Sequence, residues 1–126
     1  MIRKPAVAGA FYPGTRSEIE AMIESFVDPG VQKLKALGVI APHAGYIYSG
    51  AGAGIVYSGV AIPKDVIVLC PNHRGAGEEI ALMSEGTWET PLGEVSLDDG
   101  FAQELSAAFP LVTEDARAHS QEHSLE

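Results

Sequence analysis

Two short apolar runs, each closed by a proline and followed by a histidine, constrain this chain more than any other feature. In "LGVIAPHAGYIYSG", Leu37 to Ala41 runs into Pro42 and His43; in "DVIVLCPNHRG", Val66 to Cys70 runs into Pro71 and, two residues on, His73. Compact runs rich in Val, Ile and Leu read as buried strands. A following proline cannot donate to a continuing ladder. The roughly 20 residues between the runs are enough for the crossover that a parallel pair needs. Within that gap, "SGAGAGIVYSGV" is too glycine-rich for a strong isolated helix but suits a crossover helix packed closely against a sheet. The pattern predicts one βαβ unit, with His43 and His73 just past the carboxyl ends of parallel strands, the edge where open α/β sheets place their ligands.

Neighbouring strands lie about 4.8 Å apart, so two imidazoles at adjacent strand ends can converge on one ion at about 2.0–2.1 Å each. The prolines stiffen both loops, which lowers the entropy lost when the ligands are held. Taken singly, each histidine is more often an ordinary loop residue with a hydrogen-bonded ring. Their matching positions favour a shared metal site. A third cluster is His119, Glu122, His123 and Glu126 in "AHSQEHSLE". In a helix these four share a face, offering an imidazole or carboxylate to a metal or a proton to a substrate. The alternative is a solvated acidic helix end.

The rest of the chain frames this pair of runs. "TRSEIEAMIESFVDPG" has capping-box spacing at Thr15 and Glu18 and apolar residues Ile19, Met22, Ile23 and Phe26 at helical intervals. It predicts an amphipathic helix. "EIALMSEGTWETPLGEVSLDD" predicts two strands around a Thr90-Pro91-Leu92-Gly93 turn, and Asp98 or Asp99 then caps a helix that Pro110 ends. A chain of 126 residues with 46% apolar content fits one domain. Seventeen acidic against eight basic residues give a net charge of −9, the wrong sign for a phosphate backbone or an anionic membrane surface. No nucleic-acid or membrane partner is expected. Cys70 is the only cysteine and no signal peptide or spanning segment is evident, so a soluble cytoplasmic protein is expected. "GAGAG" lacks the dinucleotide fingerprint, and no nucleophile elbow surrounds Ser49. Cys70 reads as inert core and Trp88 as hairpin packing.

"KPAVAGAFYP", "GVIAPHAGYIYSG", "CPNHRGAG", "WETPLGEV" and "EHSLE", in that order and spacing, resemble the Memo family, whose prokaryotic members are also called AmmeMemoRadiSam system protein B. The resemblance runs from Lys4 to Glu126. It implies a mixed, largely parallel α/β sheet flanked by helices, similar to class III extradiol dioxygenases, which are non-haem iron enzymes. By motif, His43 and His73 match the family's metal-liganding histidines, and His123 matches the acid/base histidine of the "EHS" segment. Glu122 and His119, in the same segment, are candidates to support the ligands from behind without touching the ion. The family's third ligand lies in a later part of a longer chain, so the expectation is the N-terminal part of a single Memo-like domain over residues 1–126. One divalent ion is implied, Fe(II) first, with Cu or Zn as alternatives. The function implied is metal-dependent redox chemistry on an unknown small molecule. Its rivals are a protein-interaction or signalling module on the same fold and a Zn-dependent hydrolase. A homo-oligomer or a partner chain is expected to cover any sheet edge left open.

Overall fold

The structure, a computed structural model, describes all residues from Met1 to Glu126. The fold is α/β, with three α-helices and mixed sheets that contain parallel strand pairs. Its contacts divide the chain into two compact units, Val7–Val68 with Glu126, and Met1–Ala6 with Leu69–Leu125.

The Val7–Val68 unit is built on two helices. Helix α1 spans Arg16–Phe26 with Thr15 at its N-cap; the Thr15 hydroxyl donates to the Glu18 carboxylate, and this side-chain pair takes the place of the expected capping box, since the Thr15 side chain caps no helix amide. Its apolar stripe buries Ile19 to 3% exposure. Helix α2 spans Tyr46–Ser58 and packs on α1. Gly50 and Gly54 are the buried glycines at that contact. A Cβ at Gly50 would lie 2.2 Å from the Phe26 ring, and one at Gly54 would lie 2.3 Å from the Phe26 carbonyl oxygen. The glycine-rich stretch is therefore a close-packing device, as expected, but its partner is a helix rather than a sheet. Ser58 fixes the same contact by donating to the Gly54 carbonyl at 2.6 Å and accepting the Asp28 amide at 2.8 Å.

The two apolar runs do not form the expected strands. Neither Leu37–Ala41 nor Val66–Cys70 enters a ladder, and Leu37, Ile40 and Leu69 are almost wholly exposed. An extended apolar segment becomes a strand only where its amides find partners and its faces find cover. Neither run finds them among these 126 residues. The predicted βαβ unit is thus reduced to its crossover helix, α2.

The Met1–Ala6 and Leu69–Leu125 unit carries all the strands: β1 (Ile2–Arg3), β2 (Ala81–Leu82), β3 (Thr87–Thr90), β4 (Gly93–Ser96) and β5 (Thr113–Glu114). β3 and β4 form the predicted antiparallel hairpin, with Thr90 opposite Gly93. β1 joins the hairpin in parallel, pairing Arg3 with Trp88. Gly86, at φ +106°, makes that pairing possible, because a Cβ there would sit 2.3 Å from the Met1 carbonyl oxygen. β2 and β5 form a second, parallel pair. Helix α3 spans Asp99–Ala108, and the Asp98 carboxylate accepts the Phe101 amide as its N-terminal cap. A short 3₁₀ turn, Ala116–His119, follows β5.

Candidate metal centre

The segment after the 3₁₀ turn is irregular rather than α-helical. The helical face expected for His119, Glu122, His123 and Glu126 therefore does not form, and Glu126 groups with the other unit, where it accepts the Tyr12 hydroxyl at 2.6 Å. Loop geometry nevertheless brings Glu122 and His123 to His73, with metal-capable atoms of all three within 4.8 Å of one another.

Glu122 is the hub. It is 2% exposed, the most buried large side chain in the protein. Its Oε2 accepts the His73 amide at 2.7 Å; its Oε1 accepts the His123 and Ser124 amides, both at 2.9 Å, and lies 2.8 Å from His73 Nδ1. Burial alone would push this carboxyl's pKa up, but hydrogen bonds from the His73 ring, Ser124 and the His73 amide outweigh it, and the group is held well below the usual carboxylate range. Four N–H groups occupy the roughly four acceptor positions a carboxylate offers.

The His73 loop is fixed locally as well. Asn72 donates to the Ala76 carbonyl at 2.7 Å and accepts the Arg74 amide at 3.2 Å, while Ser124 Oγ donates to the Pro71 carbonyl at 3.1 Å. These contacts hold the two loops together. The His73 ring, 39% exposed, stacks on His123 with centroids 4.5 Å apart and planes 21° apart. An imidazole binds a metal through an in-plane lone pair, so two stacked rings do not aim at one point. The donor set, an exposed imidazole backed by a buried carboxylate, is one that suits Fe, Cu or Zn.

A second layer supports this corner. Arg3 is buried and stacks its guanidinium 4.4 Å from the Trp88 ring centre, and it donates through Nε to the His119 carbonyl at 3.0 Å and through Nη2 to the Glu122 carbonyl at 2.5 Å. Trp88 meets the His119 ring edge-on at 5.9 Å. Burial pushes the His119 pKa down; the Ala81 carbonyl opposes the shift and the Arg3 charge adds to it. Asp115 caps the 3₁₀ turn, accepting the Arg117 amide at 3.0 Å and the Glu78 amide at 3.1 Å. The Arg117 side chain beside it lowers its pKa to about 2.

The sequence-expected residues divide accordingly. His73, Glu122 and His123 form one cluster. His119 lies next to it in the Trp88 layer and contributes no metal-capable atom to the cluster. His43 belongs to the other unit, exposed on the loop that leads into α2. Cys70 is a free thiol of intermediate burial rather than the end of a core strand. Arg3 and Asp115 were not foreseen. Arg3's only sequence signal is that it stands with Lys4 as a pair of cations in the otherwise apolar N-terminal stretch, and Asp115 lay in an unassigned polar segment.

A profile of the Memo-like protein family matches residues 3–126. Similar curated proteins include a MEMO1 family protein of Nitrosopumilus maritimus, 46% identical over 135 residues, one of Methanothermobacter thermautotrophicus, 42% over 140, and one of Aquifex aeolicus, 42% over 127. These alignments cover 99–100% of this chain and 47–50% of the relatives. The chain belongs to the Memo family, and it spans about half the length of the curated relatives it matches. No helix is long and apolar enough to cross a membrane.

Proposed function

We propose that this chain carries part of a metal centre of the dioxygenase-like kind, with His73 as ligand, His123 as the adjacent acid/base group and Fe(II) as the first-choice ion. The observation that carries the reading is the convergence of His73, Glu122 and His123 within 4.8 Å in a Memo-family chain. His43 remains in the proposal as the second imidazole ligand on sequence grounds, from its matching place after an apolar run and a proline. When bound, a redox-active ion supplies electron transfer to or from a small molecule held beside it. The protein's own part is to orient the His73 imidazole against Glu122 and to keep the His123 ring in face contact with it, placed to take or give a proton.

The test is anaerobic reloading of metal-stripped protein with Fe(II), Cu and Zn in turn, followed by elemental analysis. The expected result is one equivalent of a redox-active ion, abolished by His73→Ala. No stoichiometric metal would instead point to an interaction module, and tight binding of Zn alone to a hydrolase.

A further inference from the structure

We infer that Glu122 is a positioning residue and not a metal ligand: its carboxylate holds His73 in the Nδ1–H tautomer, so that Nε2 is the atom presented to a metal. This rests on the reading of His73 as a ligand and assigns the means by which that ligand is prepared.

The first ground is saturation. A ligating carboxylate needs an oxygen lone pair directed outward, whereas Glu122 is 2% exposed and has four N–H groups arranged around its two oxygens. Three of those donors are backbone amides, which have no acceptor form. Turning the carboxylate toward an ion would leave three partly buried backbone amides without partners, and an unsatisfied donor costs its desolvation penalty in full. The second ground is the tautomer. Beside an ionised carboxylate, an imidazole nitrogen at 2.8 Å must carry a proton, because two lone pairs at that distance repel. With Nδ1 protonated, the neutral ring has its lone pair on Nε2. The third ground is rigidity. The same carboxylate bonds both the amide and the ring of His73, so backbone and side chain are fixed by one buried group. An outer carboxylate that fixes the tautomer and orientation of a liganding histidine, and raises its basicity, typically changes metal affinity 10–100-fold.

The inference separates the group of three into distinct parts. His73 presents a nitrogen, Glu122 directs it, and His123 packs on its face. Sequence spacing alone would have made Glu122 and His123 alternative ligands.

Nitrogen-15 NMR of histidine-labelled, metal-free protein at a pH where the imidazoles are neutral tests this without any substitution. For His73 we expect a protonated Nδ1 and an unprotonated Nε2. An Nε2–H tautomer in the folded protein overturns the inference. Glu122→Gln retains a carbonyl acceptor but sets an amide against the N–H donors, and it is expected to mix the tautomers and weaken Zn(II) or Co(II) binding by about 10–100-fold. Unchanged affinity in a folded Glu122→Gln protein would also overturn it. If wild type shows the Nδ1–H tautomer yet binds neither ion, the metal reading of His73 fails while the positioning geometry stands.

Discussion

The guanidinium of Arg3 donates to the Glu122 carbonyl oxygen at 2.5 Å across 119 positions of sequence, tying β1 to the segment that carries Glu122 and His123. Arg3 also reaches the His119 carbonyl and covers the Trp88 ring. Arg3→Ala removes both donors from partly or wholly buried carbonyls along with a cation–π contact, so we expect a loss of about 2–4 kcal/mol in urea unfolding. Arg3→Lys keeps the charge but not the planar fork, and should recover less than half of that loss. A change under about 0.5 kcal/mol in Arg3→Ala would show that β1 does not brace this corner.

The three glycines of α2 should respond to alanine with different signs. Helix propensity alone favours each substitution by about 1 kcal/mol. At Gly52 the nearest atom to a new Cβ is Pro42 Cγ at 3.4 Å, so Gly52→Ala should stabilise. At Gly50 the obstacle is the Phe26 ring, which can rotate; at Gly54 it is the Phe26 carbonyl, which cannot move without α1. Thermal melts should therefore rank Gly52→Ala above wild type, then Gly50→Ala, then Gly54→Ala. Equal effects at all three would remove the close helix contact from the account.

The parts of this fold that could be read from sequence are those that close over short distances. Helices α1 and α3, the hairpin turn at Thr90–Gly93 and the close packing of the glycine-rich stretch follow from spacing and caps within a dozen or so residues. What failed depended on partners. Leu37–Ala41 and Val66–Cys70 have strand composition, but a strand is a relation between segments and these two pair with none here. β1 and β5, two residues each, were too short to show a period, and their parallel pairing joins distant sequence. At the candidate site, His73 and His123 were legible as residue types in motifs. Glu122's role was not, because three of its four donors are backbone amides and these leave no mark on composition.

Acid should unfold the Leu69–Leu125 unit in steps whose order follows from the depressed pKa values. His119 is held neutral by burial, so the unfolded chain binds its proton more readily; the stability this confers is present above the unfolded value near 6.5 and falls as the pH drops below it. Glu122 and Asp115 are also lowered, so their contributions are present above about pH 4 and are lost as the pH falls toward their folded values, about 2 for Asp115. Denaturant midpoints measured from pH 8 to pH 3 should fall first near pH 6 and more steeply below about 4. His119→Gln should abolish only the first decline. Stability that rises on acidification from neutrality would contradict all three assignments.

The stacked pair at His73 and His123 predicts unequal consequences when either ring is removed. The planes are 21° apart at 4.5 Å, so an ion in the plane of one ring lies off the plane of the other, and Glu122 fixes His73 independently of the His123 ring. His73→Ala should reduce the affinity for a divalent probe such as Co(II) at least tenfold, since it deletes the nitrogen that Glu122 directs outward. His123→Ala should change that affinity by less than about threefold, because a face neighbour and not a ligand is lost, and His123→Phe should preserve the stack and the fold. A turnover that depends on the metal would be affected in the opposite way: His123→Ala should flatten one limb of its pH profile while leaving metal content intact. Both substitutions can be followed by calorimetric titration with Co(II) alongside the visible spectrum of the bound ion. Equal loss of Co(II) affinity in His73→Ala and His123→Ala would make the two imidazoles co-ligands, and the acid/base role would then have to pass to another residue.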